Sequence, residues 1–405
     1  MNTKKLTVQY AMLQGCYWIS FCAINSYATV FLLHIGLKSS QIGLVIALGN
    51  ILGVILQPTF AAAADRAKKI TLQQITAGLA IGIIALLIGM QCMTGFTVGI
   101  TAIYLLINAL LQVMQPLISS ISMYYVNRGV YVDFGIGRGV GSAAFAMVST
   151  GIGVLIERYH GLTIVVVGSI GLAALLFTVF QMPLMQEKKE TEQKEGENQT
   201  EEKVQRKSAG GILPFILKYR NYMMVLIGLT LVYVEHTYVN TYLVHVVTDL
   251  GGSTTQLGML MTVSAISELP TMALFSKLTH RWNSRQLMSF STVMFTVKAI
   301  GYLLCGSVSL LYLVQMLQLG AFALCLPATV YYVNETMRPE DRVKGQSLIA
   351  ATGTLGGVFG SLSGGVLIDT GGVQMMLRTG AVISLIGTII VCVFVFRRDE
   401  REESV

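Results

Sequence analysis

The sequence predicts an all-α membrane protein whose twelve transmembrane helices form two six-helix bundles. Three observations carry this expectation. The 405 residues are 53% apolar and only 12% charged, about half the charge of an average soluble domain, and the mean hydropathy is +0.65. Twelve runs are long and apolar enough to cross a bilayer core, which takes about 20 residues. A polar stretch, residues 186–210, rich in Glu and Lys, divides those runs six and six.

Taken in order, the first run is 8–34. It follows Lys4 and Lys5 like the start of a signal peptide, but it is too long and lacks a small-residue cleavage site, so it is read as a retained span. The second, 40–63, ends at a charged turn, Ala64 to Lys69. The third (71–92) and fourth (97–126) follow, the fourth carrying Asn108, Gln112 and Gln115. The fifth (136–156) opens at a glycine-rich stretch containing Arg138, and the sixth is 162–183. The 186–210 stretch cannot bury a core and is expected to be a solvated linker. Then come 222–248, 255–277, 286–306, 309–334, 345–368 and 373–396. Pro58, Pro116, Pro270 and Pro327 are expected to kink their spans. Gly353, Gly356, Gly357, Gly360 and Gly364 in the eleventh are expected to allow close helix contact. The expected division is 1–184 for the N-terminal bundle, 185–215 for a flexible cytoplasmic linker and 216–405 for the C-terminal bundle.

With the N-terminus inside and the spans alternating, 24 of the 28 Lys and Arg residues fall on the inner side and three on the outer, with Lys298 inside a span. That asymmetry predicts both termini in the cytoplasm and an even number of spans. It also explains the net charge of +7 without nucleic acid as a partner. The six cysteines form no CxxC or Cys/His cluster, so no metal and no disulfide framework is expected. No phosphate-cradling GxxxxGK[ST] is present, so transport driven by ATP is not supported. No cofactor is expected, and no nucleophile–base cluster that would make an enzyme.

Few ionisable residues lie within the spans: Glu235, His236, His245, Glu268 and Lys298, with His34 near an outer end. Such groups are costly in lipid and mark ion or substrate routes. Ser264, Ser267, Glu268 and Thr271 share one helix face, a polar stripe suited to a cavity wall. Glu235 has Tyr238 and Tyr242 at i+3 and i+7, both expected to contact the solute, with His236 and Asn240 on the neighbouring stripe. Glu268 and Glu235 are the candidates to load and release a proton, Lys298 to pair with Glu268, and His236 to relay. Gln14, Trp18, Asn25, Asn108, Gln112, Gln115, Gln315 and Gln318 supply amides and an aromatic face for a polar solute. The alternative for Trp18 is the interfacial belt.

The two halves echo each other at Val126-Asn127 and Val333-Asn334, and again at Arg138-Gly139 and Lys344-Gly345. With Ala64-Asp65-Arg66-Ala67-Lys68-Lys69, the run Asp133 to Ser142 and Ile266-Ser267-Glu268-Leu269, the chain resembles a major facilitator superfamily transporter. Within that superfamily it is similar to the lactose-permease branch and its nucleoside-permease relatives. The resemblance implies duplicated six-helix bundles with the solute path between them, and Asp65, Arg66 and Asp133 in a cytoplasmic gating loop. It places functional carboxylates at Glu268 and Glu235, a basic residue at Lys298 and a sugar-contacting arginine at Arg138. In that family the arginine pairs with a glutamate one helix earlier; here the region reads Ser119-Ser120. Arg138 is thus left to bind solute, pair with Asp133 or anchor topology.

The expected function is secondary active transport by alternating access: proton-coupled symport of an uncharged polar solute, sugar or glycoside first and nucleoside second. Sodium is the other candidate ion, and a monomer in the lipid bilayer is the expected state. The rivals are an exporter of the same fold and a non-transporting membrane sensor.

Overall fold

The computed structural model describes residues 3–66, 71–93, 95–126, 128–183 and 212–397; the linker 186–210 and Asn127 of the sequence echo lie outside them. The described chain is helical throughout, and counting its breaks gives twelve spans. The first, α1, is Thr3–Ser26 continued by Ala28–His34, bent by 43° at Tyr27. Then come α2 (Ser39–Arg66), α3 (Leu72–Gln91), α4 (Thr97–Val126), α5 (Phe134–Tyr159), α6 (Leu162–Gln181), α7 (Arg220–Asp249), α8 (Thr254–Thr279) and α9 (Ser284–Leu304). The tenth, α10 (Val308–Thr336), holds a 3₁₀ turn at Leu317–Leu319. A 53-residue helix, Arg342–Phe394, carries a break at Gly372 (φ 74°, ψ −178°) and so supplies two spans, α11 (342–371) and α12 (373–394). That backbone is open to glycine and strained for any other residue.

Local chemistry sets the helix starts. Thr71, Ser253 and Asn283 each form a capping box with the glutamine three residues on, satisfying backbone N–H groups that have no partner inside the helix. Asp133 caps α5 by accepting from the Ile136 N–H at 2.9 Å. The four prolines sit inside helices that continue through them; the breaks lie elsewhere, at Tyr27, Tyr242, Leu317–Leu319 and Gly372. A short helix, Ile212–Lys218, begins inside the segment expected as linker. Its Phe215 and the following Tyr219 are buried against the second bundle. Lys218 Nζ donates to Asp341 Oδ2 at 2.5 Å, just before α11.

The two bundles meet along two seams, α2 against α11 and α5 against α8, with α1 and α7 between them. Hydrogen bonds joining the halves gather at the end of the molecule away from the two termini. Thr29 Oγ1 donates to Thr241 O at 2.5 Å, and Thr262 Oγ1 bonds with Ser149 and Thr150 hydroxyls at 2.7 and 2.8 Å. Tyr242 OH donates to Ser39 O at 3.4 Å, and Ser39 Oγ meets His245 Nε2 at 3.1 Å.

Candidate functional site

Between the bundles lies a cavity of about 460 Å³ whose wall comes from both. From the N-terminal bundle it takes Trp18, Phe21 and Asn25 of α1, Asn108 of α4, and Arg138, Ser142 and Phe145 of α5. From the C-terminal bundle it takes His236 and Asn240 of α7, Ser264 and Glu268 of α8, and Gln315, Gln318 and Phe322 of α10. The polar stripe expected on span eight does face a cavity, through Ser264 and Glu268.

The feature with most chemistry is a bridge of three side chains. Lys298 Nζ donates to Gln318 Oε1 at 2.5 Å, and Gln318 Nε2 donates to Glu268 Oε1 at 3.0 Å. The charges at the two ends fix the amide's orientation, oxygen to ammonium and NH₂ to carboxylate. The expected direct Glu268–Lys298 pair is thus replaced by an amide-bridged one. Glu268 is half-buried at the cavity wall, whereas Lys298 is 3% exposed and lies behind it. Glu235, 4% exposed, is the second carboxylate in the field of Lys298. Gln318 reaches both partners because it sits in the 3₁₀ turn, where α10 departs from helical spacing; Thr271 Oγ1 satisfies the Leu319 carbonyl there at 2.8 Å. Gln315 Oε1 accepts from the Tyr302 hydroxyl, which leaves its NH₂ for the cavity.

On the opposite wall Arg138 stands over the Trp18 ring, its guanidinium carbon 4.2 Å from the ring centroid. Arg138 Nη1, Trp18 Nε1 and Asn108 Nδ2 are buried donors without a protein partner. Asn108 Oδ1 accepts from Asn25 Nδ2 at 3.0 Å and Gln112 Nε2 at 3.2 Å, and Gln112 also donates to Asn50 Oδ1 at 2.6 Å. Trp18 lies against α5 because residue 141 is glycine: a Cβ there would come within 2.5 Å of Trp18 Cδ1. His236 Nε2 meets Asn240 Nδ2 at 2.8 Å, and its ring stacks on Phe322 with centroids 5.0 Å apart.

Other expected residues stand elsewhere. Tyr238 and Tyr242 turn to α11, bonding Ser363 and Ser361, and do not line the cavity. Gln14 donates to Tyr10 OH at 2.7 Å inside the first bundle; Gln112 and Gln115 are also outside the lining. Asp133 caps its own helix and does not meet Arg138. Asp65 and Arg66 end α2, and their side chains lie outside the described residues. The lining residues Phe21, Phe145 and Ser142 were not singled out by sequence reasoning, since apolar and small residues in a span look alike whether they face cavity, neighbour or lipid. Ser142 and Phe145 do lie one and two turns beyond Arg138, the one signal that could have found them.

Two duplicated helix bundles around a central, charge-bearing cavity define a secondary transporter of the major facilitator fold. The chain matches the MFS_1 like family over residues 10–379 and belongs to it. It is 20% identical over 397 residues to the uncharacterized transporter YwbF of Bacillus subtilis (strain 168), covering 96% of this chain and 94% of that one. It is 22% identical over 359 residues to the maltose permease of Geobacillus stearothermophilus, covering 87% and 85%. Among solved structures, the nucleoside transporter NupG superposes with a TM-score of 0.77 at 17% identity, over 97% of this chain and 98% of that one. A POT family peptide transporter gives 0.71 at 12% identity, each chain covered to 98%. The family and these neighbours are transporters, not enzymes.

Proposed function

We propose that this protein is a proton-coupled symporter for an uncharged polar solute, working by alternating access in the cytoplasmic membrane as a monomer with both termini in the cytoplasm. The observation that carries the reading is the Glu268–Gln318–Lys298 bridge at the cavity wall. A carboxylate there accepts the amide hydrogen; once protonated it carries a donor of its own and is a poorer acceptor. Loading Glu268 therefore loosens Gln318, and with it the contact to Lys298, leaving Lys298 to the field of Glu235. His236, bonded to Asn240, lines the cavity rather than the bridge, and its part is solute contact.

The solute is read from the wall. Trp18, Phe21, Phe145 and Phe322 offer faces for a ring, and Asn25, Asn108, Asn240, Gln315 and Arg138 offer hydrogen-bonding groups. Sugars and glycosides are first choice, in line with the maltose permease, and nucleosides second, in line with NupG. The inward excess of Lys and Arg supports the orientation. One proton entering at 100 mV yields about 2.3 kcal/mol, enough for roughly fiftyfold accumulation at 1.36 kcal/mol per tenfold.

The test is the pH of the medium when a panel of sugars and nucleosides is added to anaerobic, de-energised cells making the protein. Alkalinisation by one solute, absent in Glu268→Gln cells, is expected. Uphill uptake by normally inserted Glu268→Gln protein overturns the coupling role. Solute uptake without a pH change, dependent on sodium, replaces the ion; faster loss of loaded dye with no solute response reverses the direction to export.

A further inference from the structure

The end of the molecule away from the termini carries a second internal repeat, and it is chemical as well as sequential. Gly36-Leu37-Lys38-Ser39-Ser40-Gln41-Ile42-Gly43 at the start of α2 parallels Gly251-Gly252-Ser253-Thr254-Thr255-Gln256-Leu257-Gly258 at the start of α8, 215 positions on. Each start is gripped by a carboxylate from the other bundle. Asp369, near the end of α11, accepts from the Ser39 N–H at 3.1 Å and the Ser40 N–H at 2.8 Å. Glu157, near the end of α5, accepts from the Thr255 N–H at 2.8 Å. Glu157 and Asp369 are themselves 212 positions apart, at matched places in the two bundles.

The backbone behind each grip is matched too. Tyr27 and Tyr242, again 215 positions apart, sit at the breaks of α1 and α7 with similar dihedrals (φ −98°, ψ 14° and φ −111°, ψ 20°). Tyr27 OH donates to Ser149 O at 2.6 Å, and Tyr242 OH to Ser361 O at 2.5 Å. Gly43 and Gly258 are the points of closest approach: a Cβ would lie 2.1 Å from Ser361 O at the first and 2.4 Å from Ser149 O at the second.

We propose that Glu157 and Asp369 are the two halves of a symmetric latch that holds this end shut. Each carboxylate gives negative charge and acceptors to the N-terminus of a helix in the opposite bundle, where free N–H groups and the helix dipole favour an anion. Neither bond can survive when the bundles part at this end, so the pair stabilises the state described here against the one open at this end. A cap that joins two bundles differs from an ordinary N-cap such as Asp133, which serves its own helix. The proposal concerns the conformational cycle and is read without solute, so it stands or falls apart from the solute and ion assigned above.

The test is hydrogen–deuterium exchange of the full chain in lipid nanodiscs, following the amides of 39–43 and 254–258. Asp369→Asn keeps an acceptor and removes the charge; Asp369→Ala removes both, and Glu157→Gln and Glu157→Ala do the same at the other site. Each alanine variant is expected to speed exchange roughly two- to fivefold at both helix starts, including the one whose own carboxylate is intact, with the amide variants in between. The double alanine variant is expected to multiply the effects, and Asp249→Asn, an exposed carboxylate at the same end, to change nothing. Faster exchange confined to the helix start that lost its cap overturns the latch and leaves two local caps. Unchanged exchange at both overturns it outright.

Discussion

Replacing Gln318 by leucine removes the bridge while nearly keeping the side chain's volume. Lys298, 3% exposed, then loses its hydrogen-bonded acceptor at 2.5 Å. A hydrogen bond to a charged group contributes about 1.5–3 kcal/mol, and no water is on hand to replace it at that depth of burial. The Glu268 bond at 3.0 Å counts for less, because Glu268 is half-buried and faces the cavity, where water substitutes. A net cost of about 2–3 kcal/mol, borne by the state in which Glu268 is charged, corresponds to a fall of roughly 30- to 160-fold in the coupled step. The assay compares two fluxes in vesicles. Uphill accumulation under an imposed proton gradient is expected to fall toward the outside concentration, while exchange of labelled for unlabelled solute changes less than about threefold, which is under 1 kcal/mol. Gln318→Asn, one methylene short, is expected to behave like leucine because it cannot span both partners. Normal accumulation by well-inserted Gln318→Leu protein refutes the reasoning, and so does an equal loss of both fluxes, which would make Gln318 a solute contact.

Two further outcomes follow from the geometry. Gly141→Ala drives a methyl to within 2.5 Å of Trp18 Cδ1; displacing that ring should weaken solute binding about tenfold, near 1.4 kcal/mol, with the transport maximum little changed, measured as the concentration dependence of uptake. For the Lys218–Asp341 pair, burial pushes the Asp341 carboxyl up from 3.8, but bonds from Lys218 and Tyr219 outweigh it and hold the carboxyl low. Burial likewise pushes Lys218 down from 10.5, and the bond to Asp341 outweighs it and holds the ammonium high. The carboxylate's contribution is present above its ordinary value and lost as pH falls through the lowered one; the ammonium's is present below its ordinary value and lost as pH rises through the raised one. Asp341→Asn should therefore cost up to about 1 kcal/mol for this partly exposed pair, constant across neutral pH and vanishing in strong acid and in strong base, read as the thermal midpoint in detergent.

The spans were legible because a bilayer demands long apolar runs, and even the division near Gly372 shows in the sequence as a gap between 368 and 373. The charged residues within spans were legible for the same reason: their cost singles them out, and Glu268, Gln318 and Lys298 do come together. Helix periodicity does not say which polar face meets a cavity and which a neighbouring helix. Tyr238 and Tyr242 follow Glu235 at helical spacing, yet they pack on α11, where Gly364 makes room: a Cβ there would lie 2.7 Å from Tyr242 Cε2 and 2.8 Å from Tyr238 Cδ1. Gln14 and Gln112 were equally good amides on paper and satisfy Tyr10 and Asn50 instead. The repeat at the α2 and α8 starts was readable in the residues themselves, but its meaning depends on carboxylates 98 positions away in one case and 330 in the other.

The least legible element is the one the coupling reading needs most. Prolines mark helix irregularity in a sequence, but Pro58, Pro116, Pro270 and Pro327 all sit inside continuing helices. Apart from Gly372 between α11 and α12, the breaks fall within spans at Tyr27, Tyr242 and Leu317-Gln318-Leu319, none of which is a strong helix breaker. Two of the three adjoin or hold polar residues at the cavity: the π-helical turn Cys22–Ser26 carries Asn25, and the 3₁₀ turn carries Gln318. In a regular α10, Gln318 would project about 60° away from Gln315, since three positions advance an α-helix by only about 300°; in a 3₁₀ turn, residues three apart eclipse. The tighter turn brings both amides to the same wall, Gln315 to Tyr302 and Gln318 to Lys298, two residues one helical turn apart on α9. The bonds to α9, together with the Thr271 bond to the Leu319 carbonyl, are what hold the turn in that geometry. Loss of the Lys298 contact on protonation of Glu268 would therefore release backbone as well as side chain, which gives a local proton event a route to the position of a whole span.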